Sequence, residues 1–311
     1  MAPPPLHFLT IVLNGAPFLR HHVEAFSALP SRWHWHVVEG VASLAHDTAW
    51  SLARGGRVDD ALHRDGRSTD GTSEALDALA RAHPGQITVY RKPRGERWDG
   101  KREMVSAPLR RIRERCLLWQ VDVDELWSTD ELVRAVALFE EHPQARAAFY
   151  RCHYFVGPDL VLTSRGAYGN GPYEWLRTWR YRPGDRWLAH EPPVLVHRLE
   201  AWKQWKRRRR GRPPRLPFQP DDPDVLSQAT TEARGLVFQH LAYVLEAQVR
   251  WKEAYYGYAG AVEAWRGLQR AATPVRVHEH LPWVTEDAVA QRASVLGIVP
   301  RIPLPAPGPA A

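Results

Sequence analysis

The chain has 311 residues, of which 44% are apolar, enough to bury a substantial core and suited to one large α/β domain with room for a small appendage. No uninterrupted apolar run approaches the length of a membrane span, and Met1 to Pro5 lacks the basic start of a signal peptide, so the expected location is the cytoplasm. The formal charge of +7 and a pI near 9.6 favour an anionic substrate or partner, but much of the excess lies in one run, Lys203 to Arg215, and the rest of the chain is nearly balanced.

Leu6 to Leu13 (LHFLTIVL) reads as a buried strand stopped by the turn Asn14-Gly15, and Pro17 can occupy the first turn of a helix reaching about Leu29. Trp33 to Val38 reads as a second strand ending at Glu39-Gly40. Ser68 to Gly71 is a turn cluster before an amphipathic helix, Thr72 to Ala82, and Gln86 to Tyr90 is a third strand. Lys101 to Arg115 is helical in composition, with a break at Pro108. Cys116 to Val121 (CLLWQV) is the near-continuous apolar run of a central strand, and Asp130 to Glu141 is a helix. This alternation predicts a mostly parallel sheet. Beyond about Ala145, Ala147 to Val156 and Glu174 to Tyr181 read as strands. Lys203 to Gln228 reads as a mobile loop, His240 to Gln269 as a long helical stretch, and Ile302 to Ala311 as a disordered tail. The two cysteines, Cys116 and Cys152, sit among apolar or aromatic neighbours and read as reduced, buried thiols.

The most informative feature is Val121-Asp122-Val123-Asp124-Glu125, directly after the run CLLWQ. Ligands of doubly wound sheets bind outside the carboxyl ends of strands. Three acids in four positions repel one another unless a cation or water satisfies them. Side chains alternate along extended chain, so Asp122 and Asp124 point the same way and can share one ligand. Hard oxygen donors in that arrangement suit Mg²⁺ or Mn²⁺, which keep positions open for phosphate oxygens. The competing reading is that Asp124 and Glu125 only open the next helix.

Several motifs in order then resemble the glycosyltransferases of the GT-A fold, in the broad family-2-like group. They are the opening strand with Asn14-Gly15, the second strand ending in Val37-Val38-Glu39-Gly40, and Asp65-Gly66-Arg67-Ser68-Thr69-Asp70-Gly71-Thr72. Trp98-Asp99-Gly100-Lys101 and the Asp-x-Asp element Asp122-Val123-Asp124 follow, and later His190-Glu191-Pro192-Pro193 and Gln239-His240. Two departures stand out. Residues 41–64 intervene between the second strand and the Asp-Gly signature, and Glu103-Met104-Val105 replaces the usual Ala-Arg-Asn.

The resemblance implies an α/β fold of the GT-A (Rossmann-like) type, a mostly parallel central sheet flanked by helices with a C-terminal helical extension. Residues 1–235 form the catalytic domain, with a nucleotide-sugar half at about 6–125 and an acceptor half at about 126–235 that contains a basic loop, 203–228. Residues 236–300 complete the site and 301–311 are a disordered tail. The implied activity is metal-dependent, inverting transfer from a nucleotide-sugar donor to a glycan, lipid-linked or small-molecule acceptor. Asp122, Asp124 and His240 would hold Mn²⁺ or Mg²⁺. Glu39, Asp65, Lys101 and Asp122 would contact the nucleotide-sugar, although Asp65 also reads as a turn residue. Glu191, with His190 beside it, would be the base. Its apolar flanks, Trp187-Leu188-Ala189 and Pro192-Pro193-Val194, predict a raised carboxyl pKa. Tyr243, Lys252, Tyr255 and Tyr256 would line the acceptor side.

Three other readings compete. A sugar nucleotidylyltransferase would need a Gly-rich basic loop after the first strand, which the sequence lacks. A catalytically dead relative would only bind glycan. A nucleic-acid-binding protein would use Arg210-Gly211-Arg212-Pro213, which resembles an AT-hook core, but in a single copy inside a folded chain. A solvated loop, or a patch contacting anionic lipid or glycan at a membrane periphery, accounts better for that run, and no nucleic acid is expected.

Overall fold

The computed structural model describes residues 3–46, 48–164, 175–211, 217–284 and 288–304. The first half alternates as the apolar pattern predicts: β1 (Leu6–Val12), α1 (Ala16–Ser27), β2 (Trp33–Glu39), a short α2 (Ala49–Leu52), α3 (Thr72–Ala82), β3 (Ile87–Tyr90), α4 (Lys101–Ser106) and β4 (Cys116–Gln120). Pro108 ends α4 in a 3₁₀ turn, Pro108–Arg110, because proline supplies no N–H to continue the ladder. β4 is buried at every position, as a strand covered on both faces must be.

After the acid cluster come β5 (Glu125–Leu126), α5 (Thr129–Glu141), β6 (Ala147–Phe149), β7 (Arg151–Tyr154), β8 (Leu160–Leu162) and β9 (Leu176–Tyr181). Ser128 caps α5 in a reciprocal capping box with Glu131. The stretch expected as one strand, Ala147 to Val156, is two, and they enter different sheets. Glu174 of the next expected strand lies outside the described residues. β10 (Asp185–Ala189) and β11 (Val194–His197) form an antiparallel hairpin that runs into α6 (Arg198–Arg209). β12 (Val225–Leu226), α7 (Gln228–Ala233), β13 (Val237–His240), α8 (Glu246–Tyr256), α9 (Ala261–Arg270), β14 (Val275–Arg276) and β15 (Val289–Arg292) complete the chain.

The central sheet has the order β12-β6-β9-β4-β1-β2-β3. It is mixed α/β with flanking helices and mostly parallel, except that β9 runs antiparallel to both β4 and β6. A second sheet, β5-β13-β7, sets His240 opposite Glu125 in antiparallel register and opposite Tyr154 in parallel register. One apolar cluster joins the sheet to the C-terminal part, from Phe8 and Trp119 through Trp127 and Phe238 to Trp265 and Leu281.

Four expectations change. The supposed loop 203–228 begins as helix up to Arg209 and later contains β12, while residues 212–216 lie outside the described part. The helical stretch from His240 is two helices after a strand. Tyr256 ends the first and glycines at 257 and 260, both at positive φ, separate it from the second. The C-terminal segment is thus not purely helical. Finally, Arg301 at the start of the expected tail is anchored by its guanidinium on Glu131 at 2.5 Å, and residues 305–311 lie outside the described part. Neither cysteine forms a disulfide and both are buried, as expected.

Candidate active site

The carboxyl ends of β1, β2 and β4 open into a cavity of about 890 Å³, within the range of small-molecule sites. Residues after β1 (Leu13, Asn14), after β2 (Gly40, Val41, Ala42) and after β4 (Asp122, Val123, Asp124) line it, together with residues of α2, α4, β9, the β10–β11 hairpin, β13 and α8. Gly15 is required where the chain leaves β1: a Cβ there would meet methyls of Val12 and Val123 at 2.7 Å each. That contact fixes the acid loop against the first strand.

Asp124 and His240 are brought together by β13. Its register with β5 places His240 Nε2 3.5 Å from Asp124 Oδ1, and the Leu241 N–H donates to the Asp124 carbonyl at 2.8 Å. Gln248 Nε2 stands 3.5 Å from Asp124 Oδ2. Burial would raise the Asp124 pKa, but the His240 imidazole and then the Lys252 ammonium outweigh it and hold it below the usual carboxylate range. The other ring nitrogen of His240, Nδ1, is buried without a hydrogen-bond partner.

Asp122 faces a different partner. Arg177, on β9 next to the end of β4, donates from Nη2 to Glu125 Oε1 at 2.6 Å and from Nε to Glu125 Oε2 at 2.9 Å. The same Nη2 lies 3.5 Å from Asp122 Oδ2. Burial pushes the Glu125 pKa up against the pull of Arg177. The repulsion read from the sequence is therefore relieved in part by an arginine 52 residues away. Among the described residues, no group of three or more His, Cys, Asp or Glu side chains is arranged to hold a metal ion. Asp124 and His240 nevertheless supply one hard oxygen and one imidazole nitrogen side by side. That donor pair fits a divalent cation held by two protein groups, with water and phosphate oxygens for the remainder.

A second cluster forms around Lys101, which is 7% exposed at the first position of α4. Its Nζ donates to Glu191 Oε1 at 2.5 Å and to the Tyr256 hydroxyl at 2.8 Å. His190 Nδ1 is 3.6 Å from the same Glu191 oxygen, and His190 Nε2 is 3.3 Å from Gln120 Nε2. The Glu191 side chain is 44% exposed at the mouth of the cluster, and what desolvation its neighbours impose is outweighed by Lys101 first and His190 next, so its pKa lies below the usual range. This corrects the expectation of a raised value: the apolar flanks are real, but a buried ammonium contacts the carboxylate directly. Lys101 is likewise committed to an ion pair, and Glu191 more than offsets the burial that would lower its pKa.

The structure places the other expected contacts away from the cavity wall. Glu39 is fully buried, and its carboxylate accepts from Ser73 Oγ, from Arg91 Nε at 2.6 Å and from Ser68 N at 3.2 Å. Asp65 is exposed in a turn at φ 52°, and neither residue lines the cavity. Asp70, which does, accepts from Thr72 N, Thr72 Oγ1 and Ala16 N. Tyr243, Lys252, Tyr255 and Tyr256 all line the cavity. Lys252 sits over the Tyr243 ring at 4.4 Å, and burial lowers its pKa against the pull of Asp124. Trp50 stacks on Tyr256 at 5.5 Å between centroids.

Sequence reading missed Arg177, because nothing local marks one arginine in an aromatic strand. It also missed His22. This buried histidine of α1 donates from Nε2 to the Val123 carbonyl at 2.8 Å, which pins the loop between the two aspartates. Burial lowers the His22 pKa to about 4, so the ring is neutral and keeps one nitrogen for that bond.

No protein-family model and no curated protein matches the chain. Solved structures overlap it weakly. S. aureus TarS 1-349 is 12% identical over 48% of this chain and 36% of its own, with a TM-score of 0.34. A longer S. aureus TarS structure is 10% identical over 57% and 28%, with a TM-score of 0.36, so the chain covers roughly a third of each TarS. The mannosyltransferase PcManGT from Pyrobaculum calidifontis, solved with GDP-Man and Mn²⁺, is 13% identical over 91% of this chain and 79% of its own, with a TM-score of 0.39. Overlaps of this size carry no inference about activity, which rests on the chain's own topology and cavity.

Proposed function

We propose that the chain is a glycosyltransferase that moves a sugar from a nucleotide-sugar to a hydroxyl acceptor, with inversion. The observation that carries this reading is the convergence on one cavity, at the carboxyl ends of β1, β2 and β4, of Asp122, Asp124 and His240 with Lys101 and Glu191. A divalent cation, Mn²⁺ or Mg²⁺, held by Asp124 and His240 would offset charge on the departing diphosphate. The residues themselves divide the other work. Lys252 and Lys101 are enclosed ammonium groups available to an anionic donor. Trp50, Tyr255 and Tyr256 offer ring faces to a sugar.

The Lys101–Glu191 pair links donor binding to base strength. A diphosphate competes for the Lys101 ammonium. As that contact weakens, the Glu191 carboxylate loses the charge that depresses its pKa and becomes more basic. Glu191 then takes the proton of the acceptor hydroxyl while that oxygen bonds to the anomeric carbon and the sugar–phosphate bond breaks, its electron pair leaving with the diphosphate.

Two measurements test this. Glu191→Gln is expected to keep nucleotide-sugar binding, seen as a Tm rise in the presence of Mn²⁺, while transfer falls about 10²–10⁴-fold. The acidic limb of kcat/KM, which reports the free protein, is expected below the ordinary glutamate value of about 4.3, and the limb of kcat above it. If Glu191→Gln transfers at the wild-type rate while His190→Ala does not, His190 takes the role.

A further inference from the structure

α6 continues directly from β11 and packs on the β10–β11 hairpin, with Gln204 turned inward at 3% exposure. Its outer face is unusual. At 100° per residue, Trp202, Trp205, Lys206 and Arg209 fall within one arc on the side away from Gln204, and Lys203 and Arg210 flank them. All six are exposed, and Trp202 and Trp205 are 54% and 50% exposed, among the largest apolar side chains left in solvent. Lys206 Nζ stands 3.5 Å above the Trp202 ring, and the Arg209 guanidinium 4.5 Å above the Trp205 ring. The alternation is tight: each indole carries its own cation.

A face meant only for water has no use for two exposed indoles, and burying them in a protein partner would bury four cations with them. Indole is most at home where one part of the ring is apolar and the other wet, which is the headgroup level of a bilayer. Lysine and arginine beside it lay their stems along the apolar zone and keep their charges among anionic headgroups. We propose that the outer face of α6 is a docking surface for an anionic lipid bilayer, with Trp202 and Trp205 inserted at the headgroup level and Lys203, Lys206, Arg209 and Arg210 on the phosphates. No described helix is long and apolar enough to cross a membrane, so this contact is peripheral. The proposal is independent of the chemistry assigned to the cavity.

The test is cosedimentation of the full chain with vesicles of phosphatidylcholine alone and of phosphatidylcholine mixed with phosphatidylglycerol. Binding is expected only to the mixed vesicles and weakens as salt is raised. Replacing Lys203, Lys206, Arg209 and Arg210 by glutamine is expected to cost about tenfold or more in affinity. Trp202→Ala with Trp205→Ala is expected to cost a similar factor without altering the Tm, because both side chains are exposed. The proposal is overturned if the tryptophan variant binds the mixed vesicles as well as the wild type. It is equally overturned if duplex DNA binds the chain more tightly than the mixed vesicles through the same six residues.

Discussion

Arg177 decides how the acid loop can exist at all. Glu125 is fully buried and Arg177 is 4% exposed, so each is the main compensation for the other's desolvated charge. Removing one member of such a pair leaves an uncompensated buried charge and costs about 3–5 kcal/mol. Arg177→Met is therefore expected to destabilise the fold by that amount. The double variant Arg177→Met with Glu125→Gln is expected to cost clearly less than the sum of the two single changes. Asp122→Asn keeps the Arg177–Glu125 contact and is expected to stay within about 1 kcal/mol of wild type, as a peripheral member of the pair would. Chemical denaturation of the four proteins closes the cycle. Additive costs for the Arg177 and Glu125 changes would show that the two groups are not coupled, and that the acids are neutralised elsewhere.

At the scale of elements, β1 and β2 carry a ladder of imidazoles nearer their amino ends than the carboxyl ends that open into the cavity. His7 Nδ1 and His36 Nε2 are 2.9 Å apart, His36 Nδ1 is 2.9 Å from the Tyr90 hydroxyl, and His7 Nε2 is 3.4 Å from Glu114. His34 stacks on His36 at 4.2 Å and bonds Thr88 through Nε2. One proton order satisfies this chain: Tyr90 donates to His36, His36 to His7, and His7 to Glu114. A proton added to His7 Nδ1 would face the His36 Nε2–H unless His36 switched tautomer and donated from Nδ1 to the Tyr90 oxygen. Burial, then the neighbouring imidazoles, lower the pKa of His36 well below 6.5, and burial with His7 brings His34 to about 4. Because the folded values lie below the unfolded one, the unfolded chain binds more protons as pH falls through 6.5. Stability should be full above that pH, decline toward about pH 4 and level off once the folded rings titrate. His36→Phe is expected to lower the Tm at pH 7, where hydrogen bonds are lost, and to narrow or reverse that deficit near about pH 4.5. A deficit constant with pH would mean the ladder does not titrate. The strands that hold it were legible because their signal is local: LHFLTIVL, WHWHVV and CLLWQ are apolar runs bounded by turns. α6 was not, because good helix formers before residue 210 were averaged with the proline- and aspartate-rich stretch after it. β9 reads as a strand, but its antiparallel place beside β4 depends on partners some 60 residues away, and no local pattern encodes that.

For the whole molecule, the site is assembled from segments that the sequence keeps far apart, which explains what could be read beforehand. The aspartates were visible because a buried strand ended on them. The Lys101–Glu191 contact was not, since it joins residues 90 positions apart and reverses the pKa argument made from the flanks of Glu191 alone. Another long-range closure involves Arg301. Arg301 N donates to Gln239 Oε1 at 2.9 Å, and Gln239 Nε2 donates to the Val299 carbonyl at 2.7 Å. The Arg301 guanidinium reaches Glu131 at 2.5 Å and the Leu126 carbonyl. These bonds tie the last described strand-flanking segment to β13, β5 and α5, the three elements behind Asp124 and His240. Each hydrogen bond to a charged group contributes about 1.5–3 kcal/mol, so the strap matters to this corner more than to the global core. Arg301→Ala is expected to lower the Tm by about 2–4 °C and to speed amide exchange in β13 and β5 while leaving β1 and β2 unchanged. Transfer should fall with it, because His240 loses its fixed register opposite Glu125. Gln239→Ala should act in the same direction through the other end of the same strap. If Arg301→Ala exchanges at the wild-type rate in β13, the C-terminal strap does not hold the Asp124–His240 corner, and the pairing of β13 with β5 and β7 suffices by itself.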